Sequence, residues 1–167
     1  MKQMARILSL LLVVFLLTGC SLPGSGDKEK VFTNAGVSMT LNNSFLDYTN
    51  TKQNEEQYPF FYVSAEIGLM GVEETKAELV ENFGEHTVDS YAELIIDLYQ
   101  LNATVQHKDG FTYFTYETEY EGTMYTFTSV IVDAGDAFWN LQGYCATSVY
   151  SKNQETIWKF LTTAKIS

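Results

Sequence analysis

Between Asp109 and Val149 the chain has few folding options. Asp109-Gly110 in "KDGF" is the strongest short-range hairpin signal, a two-residue type I′ turn. "YEGTM" and "DAGDA" supply two further turns. The segments between, Phe111–Tyr120, Met124–Asp133 and Ala137–Val149, are dense in aromatic, β-branched and threonine residues. With the strand that enters the first turn, they predict a four-stranded antiparallel meander. Its strands are apolar on both faces: Phe111 and Tyr113 oppose Phe114 and Tyr116, while Tyr125, Phe127 and Ile131 oppose Met124, Val130 and Val132. Such a sheet needs cover on both sides, and helices packed on an antiparallel sheet provide it, giving an α+β layered domain.

The flanking segments fit that frame. Val37–Leu41 alternates into a first strand, followed by a short one at Phe45–Tyr48. From Phe60 to Met70 the odd positions Phe61, Val63, Ala65, Ile67 and Leu69 are all apolar, which reads as one long strand. Val72, Leu79, Val80 and Phe83 then share a helical face, with Glu73 and Glu74 near its start and Gly84 as its stop. A second helix follows, capped by Ser90 and Glu93, with Tyr91, Leu94, Ile95, Leu98 and Leu101 as its stripe. Ser151 and Gln154 cap a closing helix whose Ile157, Phe160, Leu161 and Ala164 fall at i, i+3, i+4, i+7. Gly143, inside the last meander strand, marks a bulge or a close backbone approach.

The opening "GVSMTLNNSF", the middle strand, the helix "SYAELIIDLY", the aromatic meander and the amphipathic end "ETIWKFLTTAKIS" together resemble the PsbP-like superfamily over residues 31–167. The resemblance implies an antiparallel sheet of about six strands between helical layers, and accessory or binding roles without catalysis. A cystatin- or NTF2-like cone, a helix packed on a curved meander, is the alternative arrangement.

The other end of the chain concerns location. Lys2 and Arg6 precede an eleven-residue apolar run, Ile7–Leu17. A membrane-spanning helix needs about 20 apolar residues, so this run is too short to span. A basic start, a short apolar core and small residues behind it describe a secretory signal peptide. The run ends Leu17-Thr18-Gly19-Cys20, which resembles the bacterial lipoprotein lipobox. The resemblance implies a thiol alkylated with diacylglycerol at Cys20, cleavage just before it, and attachment to the cell membrane through that anchor. Residues 1–19 then form the signal peptide, 20–30 the anchor and a tether rich in Gly, Ser and Pro, and 31–167 a single domain.

All 21 acids but only 8 of the 10 bases lie beyond Cys20, a net charge of about −13 for the cleaved chain. That balance excludes nucleic acid as a partner and repels anionic headgroups, since both require a cationic footprint. With Cys20 acylated, Cys145 has no disulfide partner within the chain. Its setting in "LQGYCATSV" reads as core packing.

No sequence motif for catalysis is present: no Walker loop, dinucleotide glycine fingerprint, G-x-S-x-G elbow or zinc spacing. His86 and His107, 21 residues apart, read as solvated surface histidines. No cofactor and no metal are expected. Asp133 and Asp136 resemble half of a calcium loop, but turn chemistry accounts for them as well. Glu117, Glu119 and Glu121 alternate toward one side beside a hairpin tip. They read either as a wet strand end or as the carboxylates of an envelope hydrolase. Tyr113, Tyr116 and Tyr120 alternate with those acids. With Glu117 and Glu119 they form a candidate binding surface for an envelope protein or glycan, unless the rings lie beneath the helices. The expectation is therefore a lipid-anchored, non-catalytic module outside the cytoplasm, with the envelope hydrolase as the alternative.

Overall fold

The computed structural model describes residues 28–52, 54 and 58–167. Leu17, Thr18, Gly19 and Cys20 lie outside the described residues. Strands β1 (Glu29–Asn34), β2 (Val37–Asn42) and β3 (Leu46–Asp47) come first, then β4 (Phe60–Val63) and β5 (Gly68–Thr75). Helices α1 (Lys76–Phe83) and α2 (Val88–Leu98) follow. The meander consists of β6 (Gln106–Lys108), β7 (Phe111–Tyr120), β8 (Thr123–Asp133) and β9 (Ala137–Ala146). Helix α3 (Thr147–Thr162) and a short β10 (Lys165–Ile166) end the chain.

The main sheet has seven strands in the order β3-β4-β5-β9-β8-β7-β6, all antiparallel. A second sheet, β1-β2-β10, carries three more. The meander forms as its turns predict: Asp109 and Gly110 have φ of 54° and 83°, and Glu121 and Gly122 have 48° and 79°. These paired positive values define the turn that matches strand twist. Both faces of the main sheet are covered, which excludes the cone. Helices α1 and α2 bury Leu79, Tyr91, Ala92, Ile95 and Ile96 against Phe114, Tyr116, Phe127, Phe138 and Tyr144. On the opposite face α3 and the small sheet bury Ile157, Phe160, Leu161, Val37, Met39 and Leu41 against Leu69, Val130, Trp139 and Leu141.

Several local expectations are corrected. The stretch Phe60–Met70 is not one strand but a hairpin, because the Ser64 amide donates to the Ile67 carbonyl at 2.8 Å and closes a turn. The turn reverses parity: Phe61 and Val63 face the α2 side, whereas Ile67 and Leu69 face the α3 side. Val72, Glu73 and Glu74 continue β5, and α1 starts four residues later than Val72, where the Thr75 hydroxyl accepts from the Glu78 amide at 3.3 Å. Helix α2 is capped one turn before Ser90, by Thr87, with Ser90 as the reciprocal partner. Helix α3 leaves β9 directly at Thr147 with no side-chain cap, so Ser151 and Gln154 are exposed helix residues. Gly143 is a close approach and not a bulge: register runs unbroken through Thr128↔Gly143 and Leu69↔Gly143. A Cβ there would stand 2.5 Å from Ile157 Cγ2, so the glycine lets α3 settle onto the sheet. Strand β1 begins at Glu29, inside the stretch read as tether.

Candidate functional site

Strand geometry decides the fate of the tyrosine and glutamate pattern on β7. Successive side chains point to opposite faces, so Tyr113, Glu117 and Glu119 lie on the α3 side and Tyr116 and Tyr120 on the α1–α2 side. The five residues do not share a surface. Tyr116 is 5% exposed, stacked on Phe127 at 5.0 Å, and burial pushes its hydroxyl pKa far above the ordinary tyrosine value. Tyr113 packs edge-on to Trp158 at 5.0 Å and donates to Gln106 Oε1 at 2.9 Å. Glu117 and Glu119 are exposed, Glu117 accepting from Thr126 Oγ1 at 3.4 Å, and Glu121 occupies the turn. All three carboxylates lie in solvent.

The histidines are closer together than their spacing implies. His86 and His107 both reach the N-terminus of α2. His86 Nδ1 lies 3.3 Å from Ser90 Oγ, and His107 Nε2 lies 3.1 Å from Asp89 Oδ1. Thr112 donates to that same Asp89 oxygen at 2.7 Å. This hydrogen bond, then the one from His107, holds the Asp89 carboxyl below the ordinary range. The cluster ties α2 to β6 and β7. Among the described residues no group of three or more His, Cys, Asp or Glu side chains is arranged to hold a metal ion. Asp133 is spent on an ion pair with Lys76 at 2.7 Å and on the Gly135 amide at 2.9 Å, so turn chemistry accounts for it. Cys145 is fully buried, and burial pushes its thiol up to about 11.

Sequence reasoning missed a polar row inside the domain. Ser129, Asn140 and Gln142 are buried on the α1–α2 side of the main sheet, with Ser129 opposite Gln142 across β8 and β9. Ser129 Oγ, both Asn140 amide atoms and Gln142 Nε2 have no hydrogen-bond partner within the described residues. At the rim of this layer Tyr91 donates to Glu74. Burial raises the Glu74 pKa above the ordinary glutamate value, and Tyr91 only partly offsets it. The signal was the break in alternation "FWNLQGY", where two amides stand at aromatic strand positions. On the α3 side the buried polar residues are partnered: Thr126 bonds Thr147 and Thr128 bonds Tyr150, each at 2.8 Å, and Asn153 donates to Glu66 at 3.1 Å.

No family model matches this chain, and no curated protein matches it in sequence. Solved structures match it in fold. The solution structure of cyanobacterial PsbP (CyanoP) from Synechocystis sp. PCC 6803 is 9% identical, with a TM-score of 0.53, over 90% of this chain and 99% of that one. LpqN of Mycobacterium tuberculosis, described as involved in cell envelope biogenesis, is 9% identical with a TM-score of 0.45, over 84% of this chain and 91% of that one. A crystal structure from Bacteroides thetaiotaomicron VPI-5482 is 13% identical with a TM-score of 0.48, over 84% of this chain and 48% of that one. At such identities the likeness speaks for the fold, and the fold is PsbP-like.

Proposed function

We propose that this chain is a bacterial lipoprotein, anchored through Cys20 outside the cytoplasm, whose domain serves an envelope partner by binding it without catalysis. The observation that carries the reading is Leu17-Thr18-Gly19-Cys20 at the end of an eleven-residue apolar run, with only eight residues between Cys20 and the start of β1 at Glu29. Acylation needs a thiolate, and Cys20 is the one cysteine at that junction. Two acyl chains or more anchor a protein stably where one is marginal. Among the described residues no helix is long and apolar enough to cross a membrane. The non-catalytic reading is supported by the solvated, unassembled state of Glu117, Glu119 and Glu121 and by the spent Asp133.

The test is fractionation with crosslinking. Wild-type chain is expected in the membrane pellet, and Cys20→Ala either in the soluble fraction or as a longer, uncleaved precursor. A crosslinked partner should be recovered from wild-type membranes, while glycan turnover stays at background and is unchanged by Glu117→Gln, Glu119→Gln or Glu121→Gln. Normal processing and membrane retention of Cys20→Ala would refute the anchor. Turnover lost on a single Glu→Gln change in a folded protein would replace the binding module with an enzyme.

A further inference from the structure

At one end of the main sheet a long strand is only partly covered. Strand β7 has ten residues and β6 has three, paired as Gln106↔Tyr113, His107↔Thr112 and Lys108↔Phe111. Beyond Tyr113 the outer edge of β7 runs on to Tyr120 with no strand beside it among the described residues. The chain that leads into β6 does not take that place: Leu101 bonds back to the Ile96 carbonyl and Ala103 to that of Leu101, each at 2.9 Å.

Register fixes which backbone groups lie on the open edge. The two-residue turn Glu121-Gly122 closes on a hydrogen-bonded pair, Tyr120 and Thr123. Bonded and non-bonded pairs alternate along an antiparallel ladder, so Thr118, Tyr116 and Phe114 direct their backbone groups to β8. Thr115, Glu117 and Glu119 direct theirs outward. Among the described residues none of these six N–H and C=O groups has a hydrogen-bond partner.

The side chains around those groups set the chemistry of what fits. Glu117 and Glu119 stand exposed along the edge, with Glu121 at its tip. None of the three makes an ion pair among the described residues, and no lysine or arginine occurs between Lys108 and Lys152. On the other face of the strand Tyr116 belongs to the core and Tyr120 packs against it, partly buried. A strand laid along this edge would set alternate side chains beside the glutamates and the others beside the tyrosine rings. A second copy of this chain fits poorly, because pairing β7 with itself sets like charges against one another.

We infer that the outer edge of β7, Thr115–Tyr120, is a strand-addition site for an extended peptide segment in which lysine or arginine alternates with apolar residues. The segment pairs antiparallel, like the rest of the sheet, with its cations opposite Glu117 and Glu119. Backbone bonds to Thr115, Glu117 and Glu119 supply the affinity, and the glutamates select the partner. The same glutamates keep other copies away from an edge that would otherwise invite aggregation. The inference rests on the binding role proposed above and gives it a place; it does not depend on the anchor.

The probe is a heptapeptide of alternating valine and lysine, valine at both ends, added to the nitrogen-15-labelled full chain and followed by amide hydrogen exchange. In the free chain the Thr115, Glu117 and Glu119 amides should exchange at least about tenfold faster than those of Tyr116 and Thr118. The peptide should slow those three by about tenfold or more and leave the α3 amides unchanged. Glu117→Gln combined with Glu119→Gln should weaken it by about 2–30-fold, the worth of two cross-strand charge pairs. A peptide methylated on its lysine backbone nitrogens keeps every charge but cannot pair, and should not slow the three amides. Equal binding of the methylated peptide, or no effect of the original on those amides, overturns the inference. Self-association that slows them without peptide assigns the edge to a second copy and overturns it equally. In either case a partner still crosslinked in membranes leaves the binding role standing without this site. Peptide pairing with no crosslinked partner leaves the edge assigned and counts against the binding role instead.

Discussion

Replacing Asn140 with valine should stabilise the protein, although the residue is buried in the middle of its largest sheet. Asn140 is 1% exposed, paired with Ile131 on one side and Val72 on the other. Neither its Oδ1 nor its Nδ2 has a hydrogen-bond partner within the described residues. A buried polar atom left unpaired costs about 1–3 kcal/mol. Valine removes both atoms, suits a strand between two β-branched neighbours, and adds only slight bulk, for which about 1 kcal/mol of packing strain is allowed. The expected net gain is about 1–5 kcal/mol, or a rise in Tm of roughly 3–15 °C for a domain of this size. Urea unfolding followed by circular dichroism measures it, with the m-value required to stay unchanged so that the comparison reports stability alone. A loss of more than about 1 kcal/mol at constant m would refute the reasoning. It would mean that the Asn140 amide is satisfied in the folded protein.

Other outcomes follow from the same packing. Burial raises the Glu74 pKa in the folded state, so the folded protein binds that proton more tightly than the unfolded chain does. Its stabilising effect is complete below the ordinary glutamate value and fades as pH rises through the raised one. Glu74→Gln should therefore match wild type near pH 4 and exceed it at pH 7–8, and a Tm difference independent of pH would contradict this. Gly143→Ala places a Cβ 2.5 Å from Ile157 Cγ2 and 3.1 Å from Leu69 Cδ2. It should cost about 1–3 kcal/mol in urea unfolding, and a neutral change would mean α3 does not sit where described. The Cys145 thiol, fully buried and pushed up to about 11, should resist iodoacetamide at pH 8 until urea unfolds the domain; prompt labelling of native protein would contradict its place in the core.

The parts of the fold legible in the sequence were those set by local chemistry. Asp109-Gly110 names its own turn because few other residue pairs tolerate two positive φ values in succession. Aromatic residues on both faces of β7 and β8 announced two covering layers before any helix was placed. What misled was alternation read across a turn. Phe61 and Leu69 hold the same parity, yet the turn at Ser64–Ile67 puts them in different cores, and no periodicity count detects a reversal of direction. Helix starts slipped for a related reason. Thr75 and Thr87 compete with nearby Glu and Ser residues for the capping role, and the strand or loop before them settles which one wins. The β7 tyrosine and glutamate pattern was visible, but its division between two faces depends on which side each covering helix takes. The buried Ser129–Gln142 pair and the meeting of His86 and His107 at α2 depend on register and on long-range packing, which a single sequence does not display.

The account depends most on Cys20, and the intact mass and N-terminal peptide of the chain purified from its native membranes test it directly. The mature protein should begin at Cys20, with residues 1–19 removed and a diacylglyceryl group on the thiol. A mature chain whose Cys20 is an unmodified thiol, or which begins at any other residue, would contradict the anchor.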